Sequence, residues 1–207
     1  LILALHDRFG LHKMDTFIWV ANKAPTPVAW ASKKRVQLNA GYEPIYWLTN
    51  NPNKVRSNNQ RVLYRHSDEH HSFVSAGGVK KEAIHSDGSH RKVIGAYSSQ
   101  TKGRIARNVQ SFAMCHLDKN KEYKAFCNLH GLPTHGASMP INVASFFIEF
   151  LTEEQDLVVD PFGGRLKTAM AAENLNRRWL ATERIPEYVL GAAGGFDLAR
   201  IENHPFI

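Results

Sequence analysis

The feature that most constrains the fold is a strand, helix and strand pattern near the end of the chain. Leu157–Asp160 is a short, valine-rich apolar run, Lys167–Asn174 has a helical pattern, and residues 179–183 form a second run typical of a strand. Elements in this order form a βαβ unit, whose crossover is right-handed and whose strands are parallel. The loop at 161–164 should therefore lie at the carboxyl edge of the sheet, where open α/β sheets bind ligands.

Other apolar patterns extend this prediction upstream. Residues 15–20 and 44–48 are rich in β-branched and aromatic side chains and are bounded by turn formers, so they predict strands. Apolar residues at helical spacing behind Pro140 predict a helix: Ile141, Ala144, Phe147, Ile148 and Leu151. The predicted fold class is α/β.

The excess positive charge is confined to one segment. The 207 residues carry a net charge of +7, and residues 54–107 hold eleven Lys and Arg against four Asp and Glu, which accounts for all of it. Glycine, serine and asparagine punctuate the same segment, as is typical of turns. Such a concentration of basic residues indicates a polyanionic partner such as nucleic acid, and a solvated basic loop without a partner is the alternative.

The two cysteines exclude some classes of protein. Cys115 and Cys127 are too few for a disulfide scaffold and too far apart for a Cys-x-x-Cys site, which favours a reducing, cytoplasmic setting. No stretch approaches the roughly 20 apolar residues of a membrane span, so no membrane partner is expected. No metal site is predicted. A structural zinc held by these cysteines with His116, His130 or His135 is the weaker alternative, because a second Cys-x-x-Cys pair is missing.

Two carboxylates flank the glycine loop at a spacing suited to nucleoside binding. Asp160 ends the first predicted strand, and Glu183 follows Gly164 by 19 residues. In nucleoside-binding α/β folds the glycines allow close backbone approach, and a carboxylate about 20 residues further on accepts hydrogen bonds from the ribose hydroxyls. A simple turn at Gly163-Gly164 is the alternative.

The residues around this loop are similar to a known signature. Asp160-Pro161-Phe162-Gly163-Gly164, together with residues 178–183 and Tyr188, resembles the S-adenosylmethionine motif of the DNA methyltransferases that modify N6 of adenine or N4 of cytosine. The loop in that family reads D-P-F-x-G-S-G-T-T. Residues 135–140 resemble the segment that folds over the cofactor. The W-x-K and E-x-I elements of the family are matched by Trp19, Lys23, Pro27 and residues 43–45.

The resemblance implies a Rossmann-like sheet that binds S-adenosylmethionine. Asp160 would hold the amino-acid part of this cofactor, and Glu183 would accept hydrogen bonds from its ribose. The implied cofactor-binding residues are Asp160, Pro161, Phe162, Gly163, Gly164, Glu183, His135 and Pro140. The alternatives are that Phe162 is an ordinary core residue and that His135 begins a helix.

The resemblance also implies that the basic segment recognises the DNA target. Residues 1–53 and 108–207 would form the methyltransferase core, and residues 54–107 would contact double-stranded DNA through phosphate and base-edge hydrogen bonds. The implied DNA-contacting residues are Lys54, Arg56, Asn58, Asn59, Arg61, Arg65, Arg91, Lys92, Lys102, Arg104 and Arg107.

The chain departs from the family pattern at two points. Arg165-Leu166-Lys167 replaces small residues of the loop, which is expected to place two cations close to a cationic sulfonium ligand. The catalytic tetrapeptide, Asp/Asn/Ser-Pro-Pro-Tyr/Phe/Trp, which holds the flipped base in the family, is absent because the sequence contains no Pro-Pro. We expect that motif upstream of Leu1, on an N-terminal extension or on a complementing N-terminal polypeptide, so no catalytic residue is identified here.

These features support three hypotheses. The first is a DNA methyltransferase in which the exocyclic amine of a flipped adenine or cytosine attacks the methyl group of S-adenosylmethionine directly, without a covalent enzyme intermediate. The second is a catalytically incomplete DNA-binding remnant or subunit of such an enzyme. A small-molecule methyltransferase is the third, and it leaves the basic segment without a role.

Overall fold

The structure, a computed structural model, describes residues 1–20, 29–84, 91–136 and 138–196. Lys23 and Pro27, two of the residues in the upstream resemblance, lie outside these ranges. The chain divides into two compact units, one formed by Leu1–Asn58 with Arg107–Ile207 and the other by Asn59–Ala106. The boundaries differ from the predicted 54–107 segment, because residues 54–58 and 107 belong to the first unit.

The regular elements follow one another along the chain as short helices and strands. In chain order they are α1 Ile2–Phe9, β1 His12–Val20, β2 Tyr42–Thr49, α2 Asp68–Ser75, β3 Ala83–Ile84, β4 Arg91–Lys92, β5 Val109–Ser111, α3 Asn120–Leu129, α4 Ile141–Leu151, β6 Leu157–Asp160, α5 Lys167–Asn174, β7 Arg178–Ala181 and α6 Pro186–Ala192. Single turns of 3-10 helix and one π-turn connect several of them. The mixture of helices and strands confirms the α/β class.

The upstream strands form a three-stranded sheet with the order β2-β1-β5. β1 and β2 pair antiparallel from His12 opposite Thr49 to Val20 opposite Tyr42, so both strands are longer than the 15–20 and 44–48 predictions. β5 is parallel to β1 and was not predicted. A turn-rich segment precedes β5, and a strand of only three residues carries little periodic signal.

The predicted βαβ unit is confirmed. β6 and β7 are parallel, in register from Leu157 opposite Arg178 to Asp160 opposite Ala181, and α5 connects them. β7 starts and ends earlier than the predicted 179–183 run, so Glu183 lies beyond the strand. Alternation along the strands directs Val158 and Trp179 onto the helices.

The core of the first unit lies between α4 and α5. Ile141, Ala144 and Ile148 of α4 pack against Met170 and Ala171 of α5, and all five are buried. Three of the five apolar positions predicted from helical spacing, Ile141, Ala144 and Ile148, therefore form the contact face. Phe147, a fourth, extends it toward the three-stranded sheet through an edge-on contact with Phe17, with the ring centroids 5.0 Å apart. The small alanines of α5 let the two helix axes approach closely.

A buried carboxylate connects three stretches of this unit. Asp118, fully buried, accepts hydrogen bonds from the backbone N–H of Cys115 at 2.7 Å and of Ile141 at 2.9 Å, and it pairs with the Lys167 ammonium at 2.6 Å. Burial alone would raise the pKa of Asp118, but the hydrogen bonds from Lys167, Cys115 and Ile141 outweigh it and hold the pKa below its ordinary value. The starts of α4 and α5 are thereby fixed to one point.

The second unit has a small core of its own. Val62 and Val74 are buried in it, and Tyr64 pairs with Arg104 by two backbone hydrogen bonds of 2.9 and 2.8 Å. Beside the short antiparallel pair of β3 and β4, the side chains of Glu82 and Arg91 form a hydrogen-bonded ion pair. Short elements and many turns agree with the turn residues in this part of the sequence.

The buried ion pair predicts a strong and pH-dependent effect of Asp118→Asn. Loss of the carboxylate leaves the Lys167 ammonium buried without a counter-charge, which costs about 3–5 kcal/mol of unfolding free energy at neutral pH. Because the pKa of Asp118 is lowered in the folded state, its stabilisation is complete above the unfolded value of about 4 and is lost as the pH falls below it. Urea unfolding from pH 7 to pH 3 should show the gap between wild type and variant closing under acid conditions.

Glu82→Gln is the matched control, because it removes a carboxylate from an ion pair at the surface, with Arg91. Exposed pairs contribute little to stability, so this variant should unfold close to wild type at every pH. A gap between Asp118→Asn and wild type that stays constant down to pH 3 would contradict the assignment of the buried pair.

Candidate functional site

The loop after β6 opens a cleft at the carboxyl edge of the β6–β7 pair. Asp160 turns the chain, because its Oδ1 accepts a hydrogen bond from the Phe162 N–H at 3.0 Å. The Phe162 ring is 88% exposed, so it is not an ordinary core residue. A cleft of about 550 Å³ is lined by Pro161, Phe162, Thr182, Glu183 and Arg184.

Both glycines of the loop are closely packed. Gly164 has φ +55°, and a Cβ atom there would lie 3.3 Å from the His135 Nε2. A Cβ on Gly163 would lie 2.7 Å from a Leu166 methyl. A simple turn would need neither approach, so the glycines allow the loop backbone to pack under the His135 ring and over Leu166.

The Glu183 carboxylate is hydrogen-bonded to the glycine loop, which precedes it by about 20 residues. Its Oε2 accepts a hydrogen bond from Gly164 N–H at 2.8 Å, and its Oε1 accepts one from Ile185 N–H at 3.0 Å. These hydrogen bonds, from Ile185 and then from Gly164, hold the pKa of Glu183 below its ordinary value. Each carboxylate oxygen has a second lone pair, so Glu183 can still accept hydrogen bonds from a ligand.

His135 packs against the glycine loop at Gly164. It does not begin a helix, because α4 starts at Ile141. Its ring contacts the Tyr188 ring edge-on at 4.8 Å, and its backbone N–H donates to the Tyr123 hydroxyl at 2.8 Å. The His135 Nδ1 is buried and has no hydrogen-bond partner among the described residues. Pro140, the other predicted residue of this segment, is buried at the N-cap of α4.

The structure does not place the two loop cations at the cleft, although the resemblance led us to expect them close to the ligand. Arg165 and Lys167 are 6% and 4% exposed, and neither lines the cleft. Their side chains turn toward Asp118, which supplies a counter-charge and a carbonyl acceptor. The sequence did not reveal this partner, because Asp118 lies 47 and 49 residues away and no local pattern marks a buried carboxylate.

The residues of the zinc alternative are engaged elsewhere. The Cys115 thiol donates to Asn142, Cys127 is buried against Gly191, and the His130 ring packs on Phe126 at 4.3 Å. Within the described ranges no group of three or more His, Cys, Asp or Glu side chains is arranged to hold a metal ion.

The basic residues predicted to contact DNA are divided between the two units. Lys54, Arg56, Asn58 and Arg107 belong to the first unit and the others to the second. Arg56 forms an ion pair with Asp156 at 2.8 Å, which fastens it to the loop before β6. In the second unit, Arg91 pairs with the Glu82 carboxylate, whereas Lys92 and Lys102 are exposed.

Comparisons with known proteins agree with one another. Residues 1–193 match the family model N6_N4_Mtase, described as DNA methylase. The type II methyltransferase M.PvuII of Proteus hauseri is 29% identical over 196 residues, which are 94% of this chain and 57% of that protein.

Two solved structures also match. The PvuII DNA methyltransferase (cytosine-N4-specific) matches with 26% identity and a TM-score of 0.66, over 95% of this chain and 55% of that one. M1.HpyAVI matches in fold, with 15% identity and a TM-score of 0.51, over 94% of this chain and 66% of that one. The chain thus spans somewhat more than half the length of M.PvuII. None of the helices described in the structure is long and apolar enough to span a bilayer.

The packing of His135 on the loop predicts the effect of Gly164→Ala. The left-handed backbone costs an alanine about 1–2 kcal/mol, and contact of the new Cβ with the His135 ring adds to that cost. Gly10→Ala is the matched control, because Gly10 has φ +63° and open space around it. Urea unfolding should show a larger loss of unfolding free energy for Gly164→Ala than for Gly10→Ala. When both substitutions are made in the His135→Ala background, this difference should disappear. Equal losses in the two glycine variants would contradict the contact.

Proposed function

The chain belongs to the N6_N4_Mtase family of DNA methylases, and from this membership we propose that it binds S-adenosylmethionine and DNA as part of a DNA amino-methyltransferase that modifies N4 of cytosine. The observation that supports the cofactor most directly is the hydrogen bond between Glu183 and Gly164, which joins the two predicted halves of the cofactor site. The preference for cytosine rests on the cytosine-N4-specific PvuII enzyme, whose structure matches 95% of the present chain.

The groups around the cleft fit the chemistry of S-adenosylmethionine. This cofactor has an ammonium that requires a carboxylate, a ribose diol that requires acceptors, and an adenine that packs on apolar surfaces. Asp160 would hold the ammonium, Glu183 would accept from the diol, and the exposed Phe162 ring offers an apolar face. When bound, the cofactor supplies an electrophilic methyl group.

The protein side chains have binding and orienting roles in this proposal. The Glu183 carboxylate is fixed by two backbone N–H groups before any ligand arrives, so little ordering is needed when the diol binds. The Asp160 Oδ1 is held by Phe162 N–H, whereas no described residue donates to its Oδ2. A fixed carboxylate with an open oxygen suits an ammonium group.

The basic residues of the second unit are proposed to bind double-stranded DNA through its phosphates. Seven of the predicted DNA-contacting residues lie there: Asn59, Arg61, Arg65, Arg91, Lys92, Lys102 and Arg104. Exposed lysines and arginines neutralise phosphates and release counterions, which gives affinity without sequence preference. Residues 54–107 carry the entire net charge of the chain, and eight of their eleven Lys and Arg lie in the second unit, which supports this assignment.

A second candidate function is a DNA-binding and cofactor-binding subunit or remnant without activity of its own. One observation favours it: the 207 residues contain no Pro-Pro, and hence no Asp/Asn/Ser-Pro-Pro-aromatic tetrapeptide. The two candidates share the binding sites and differ in product formation.

The ammonium contact predicts that Asp160→Asn weakens S-adenosylmethionine binding. The asparagine keeps an acceptor for Phe162 N–H but removes the charge, so loss of a charge-assisted hydrogen bond should weaken binding about tenfold or more. Glu187→Gln, an exposed carboxylate at the start of α6, is the control and should bind as wild type does. Titration calorimetry measures all three proteins. Unmeasurable heats for wild type would remove the cofactor assignment.

The proposed product is N4-methylcytosine. DNA incubated with the protein and S-adenosylmethionine, digested and analysed as nucleosides by mass spectrometry, should contain N4-methylcytosine and no N6-methyladenine. N6-methyladenine would reverse the proposed base. Cofactor and DNA binding without either product would favour the subunit or remnant over the enzyme.

The phosphate contacts predict a change in the salt dependence of DNA binding. Lys92→Gln with Lys102→Gln should lower the slope of log affinity against log salt by about 2, roughly one unit for each lost phosphate contact. Lys121→Gln with Lys124→Gln, two exposed lysines of α3 outside residues 54–107, should leave the slope unchanged. Duplex binding by fluorescence anisotropy at several salt concentrations measures it, and the reverse ranking of the two pairs would contradict the assignment.

A further inference from the structure

The loop that follows the glycines holds a residue in an unfavourable backbone conformation. Leu166 has φ +57°, a left-handed backbone conformation that is unfavourable for residues with a Cβ atom and that glycine adopts freely. The family loop carries glycine at this position, whereas this chain carries leucine. A strained residue persists only where its surroundings fix it. The neighbours on either side, Arg165 and Lys167, are the groups that do so.

Arg165 is fixed by three groups from one side of the loop. Its guanidinium donates to the Asn120 Oδ1 at 2.8 Å and to the Asp118 carbonyl at 2.7 Å, and it lies over the Tyr123 ring at 4.0 Å. A planar fork of donors that also stacks on an aromatic face is particular to arginine. Burial to 6% exposure leaves the side chain no freedom to reach the cleft.

Lys167 fixes the other side of Leu166. Its ammonium donates to the side-chain carboxylate and to the backbone carbonyl of Asp118. Arg165 and Lys167 therefore both donate to Asp118, and these two contacts fix the backbone on either side of Leu166. The Leu166 side chain is buried against Ala169 and Ala192, which adds an apolar contact to the two polar ones.

The same support reaches His135, which lies beside Gly164, through Tyr123. The Tyr123 hydroxyl accepts the His135 N–H at 2.8 Å, while its ring lies against the Arg165 guanidinium. His135 in turn covers Gly164, which binds Glu183. A continuous set of contacts thus runs from Arg165 through Tyr123 to the residues of the proposed cofactor site.

We propose that Arg165 is a positioning residue of the cofactor site, which holds the 163–166 loop in its binding conformation without touching the ligand. This inference rests on the proposed binding of S-adenosylmethionine. In this inference the two loop cations do not repel the sulfonium of the ligand, because their charges are bound by Asp118 and by residues of α3. They act on the affinity for the ligand by holding the loop in its conformation.

The test is Arg165→Ser, which restores the small residue of the family loop. If the arginine were close to the sulfonium, its removal would strengthen binding of S-adenosylmethionine and leave the uncharged thioether S-adenosylhomocysteine less affected. If Arg165 positions the loop, both ligands should weaken by a similar factor, about tenfold or more. Arg165→Lys supplies one donor in place of the fork and should restore part of the affinity. Titration calorimetry with both ligands, below the melting temperature of each variant, gives these values.

Tyr123→Phe keeps the inference testable if Arg165→Ser does not fold. It retains the ring under the guanidinium and removes the hydroxyl, which accepts the His135 N–H and also hydrogen-bonds with Cys127, so both ligands should weaken by the same factor. Wild-type affinity of folded Arg165→Ser for both ligands would overturn the inference alone, and so would an effect on the sulfonium ligand only. If the serine variant does not fold, wild-type affinity of folded Tyr123→Phe would have the same consequence. Failure of the wild type to bind either ligand would overturn the proposed function and the inference with it.

Discussion

The hydrogen-bonded ion pair between Asp118 and Lys167 is the interaction on which the first unit depends. Taking a carboxylate and an ammonium out of water is costly, and their mutual attraction alone does not always repay that cost. Here the remaining capacity of Asp118 is used by two backbone N–H groups, and its carbonyl receives Arg165 as well. The pair is therefore satisfied only when the 115–118 turn, the start of α4 and the start of α5 are all in place. That requirement links distant parts of the chain more specifically than apolar packing can.

The same arrangement explains how a loop with two bulky cations can occupy the place of a small-residue loop. A glycine-rich loop adopts its conformation because little opposes it, whereas this loop adopts it because contacts on both sides of Leu166 enforce it. The backbone strain at Leu166 and the desolvation of Arg165 and Lys167 are costs that the contacts with Asp118, Asn120 and Tyr123 offset. In the proposed function, a loop held by these contacts would lose less entropy when the ligand binds.

The sequence allowed the local parts of this structure to be predicted and concealed the long-range ones. The βαβ unit and α4 follow from periodicity within a window of about 20 residues, and the 19-residue spacing of Gly164 and Glu183 indicated a pair that is in direct contact. The contact of Asp118 with Lys167 spans 49 residues and leaves no periodic trace. For that reason we expected the loop cations close to the ligand, in the place of the small residues of the family loop, whereas their side chains contact Asp118. β5 was missed because three residues are too few to show alternation.

The distribution of charge acquires a structural meaning from these contacts. Outside residues 54–107 the chain is neutral, and the cations of the glycine loop are directed to acceptors on the protein side of the backbone. Glu183 lines the cleft together with Arg184, and Asp160 ends the strand beside it. In the proposed function these two carboxylates would bind a ligand that carries both an ammonium and a sulfonium charge. The second unit has the opposite balance, and polyanionic phosphates require exposed cations such as Lys92 and Lys102. A cationic ligand and a polyanionic ligand impose incompatible electrostatic demands on one surface. In the proposed function two separate compact units would meet these demands, and the cations of the glycine loop are neutralised by burial against Asp118.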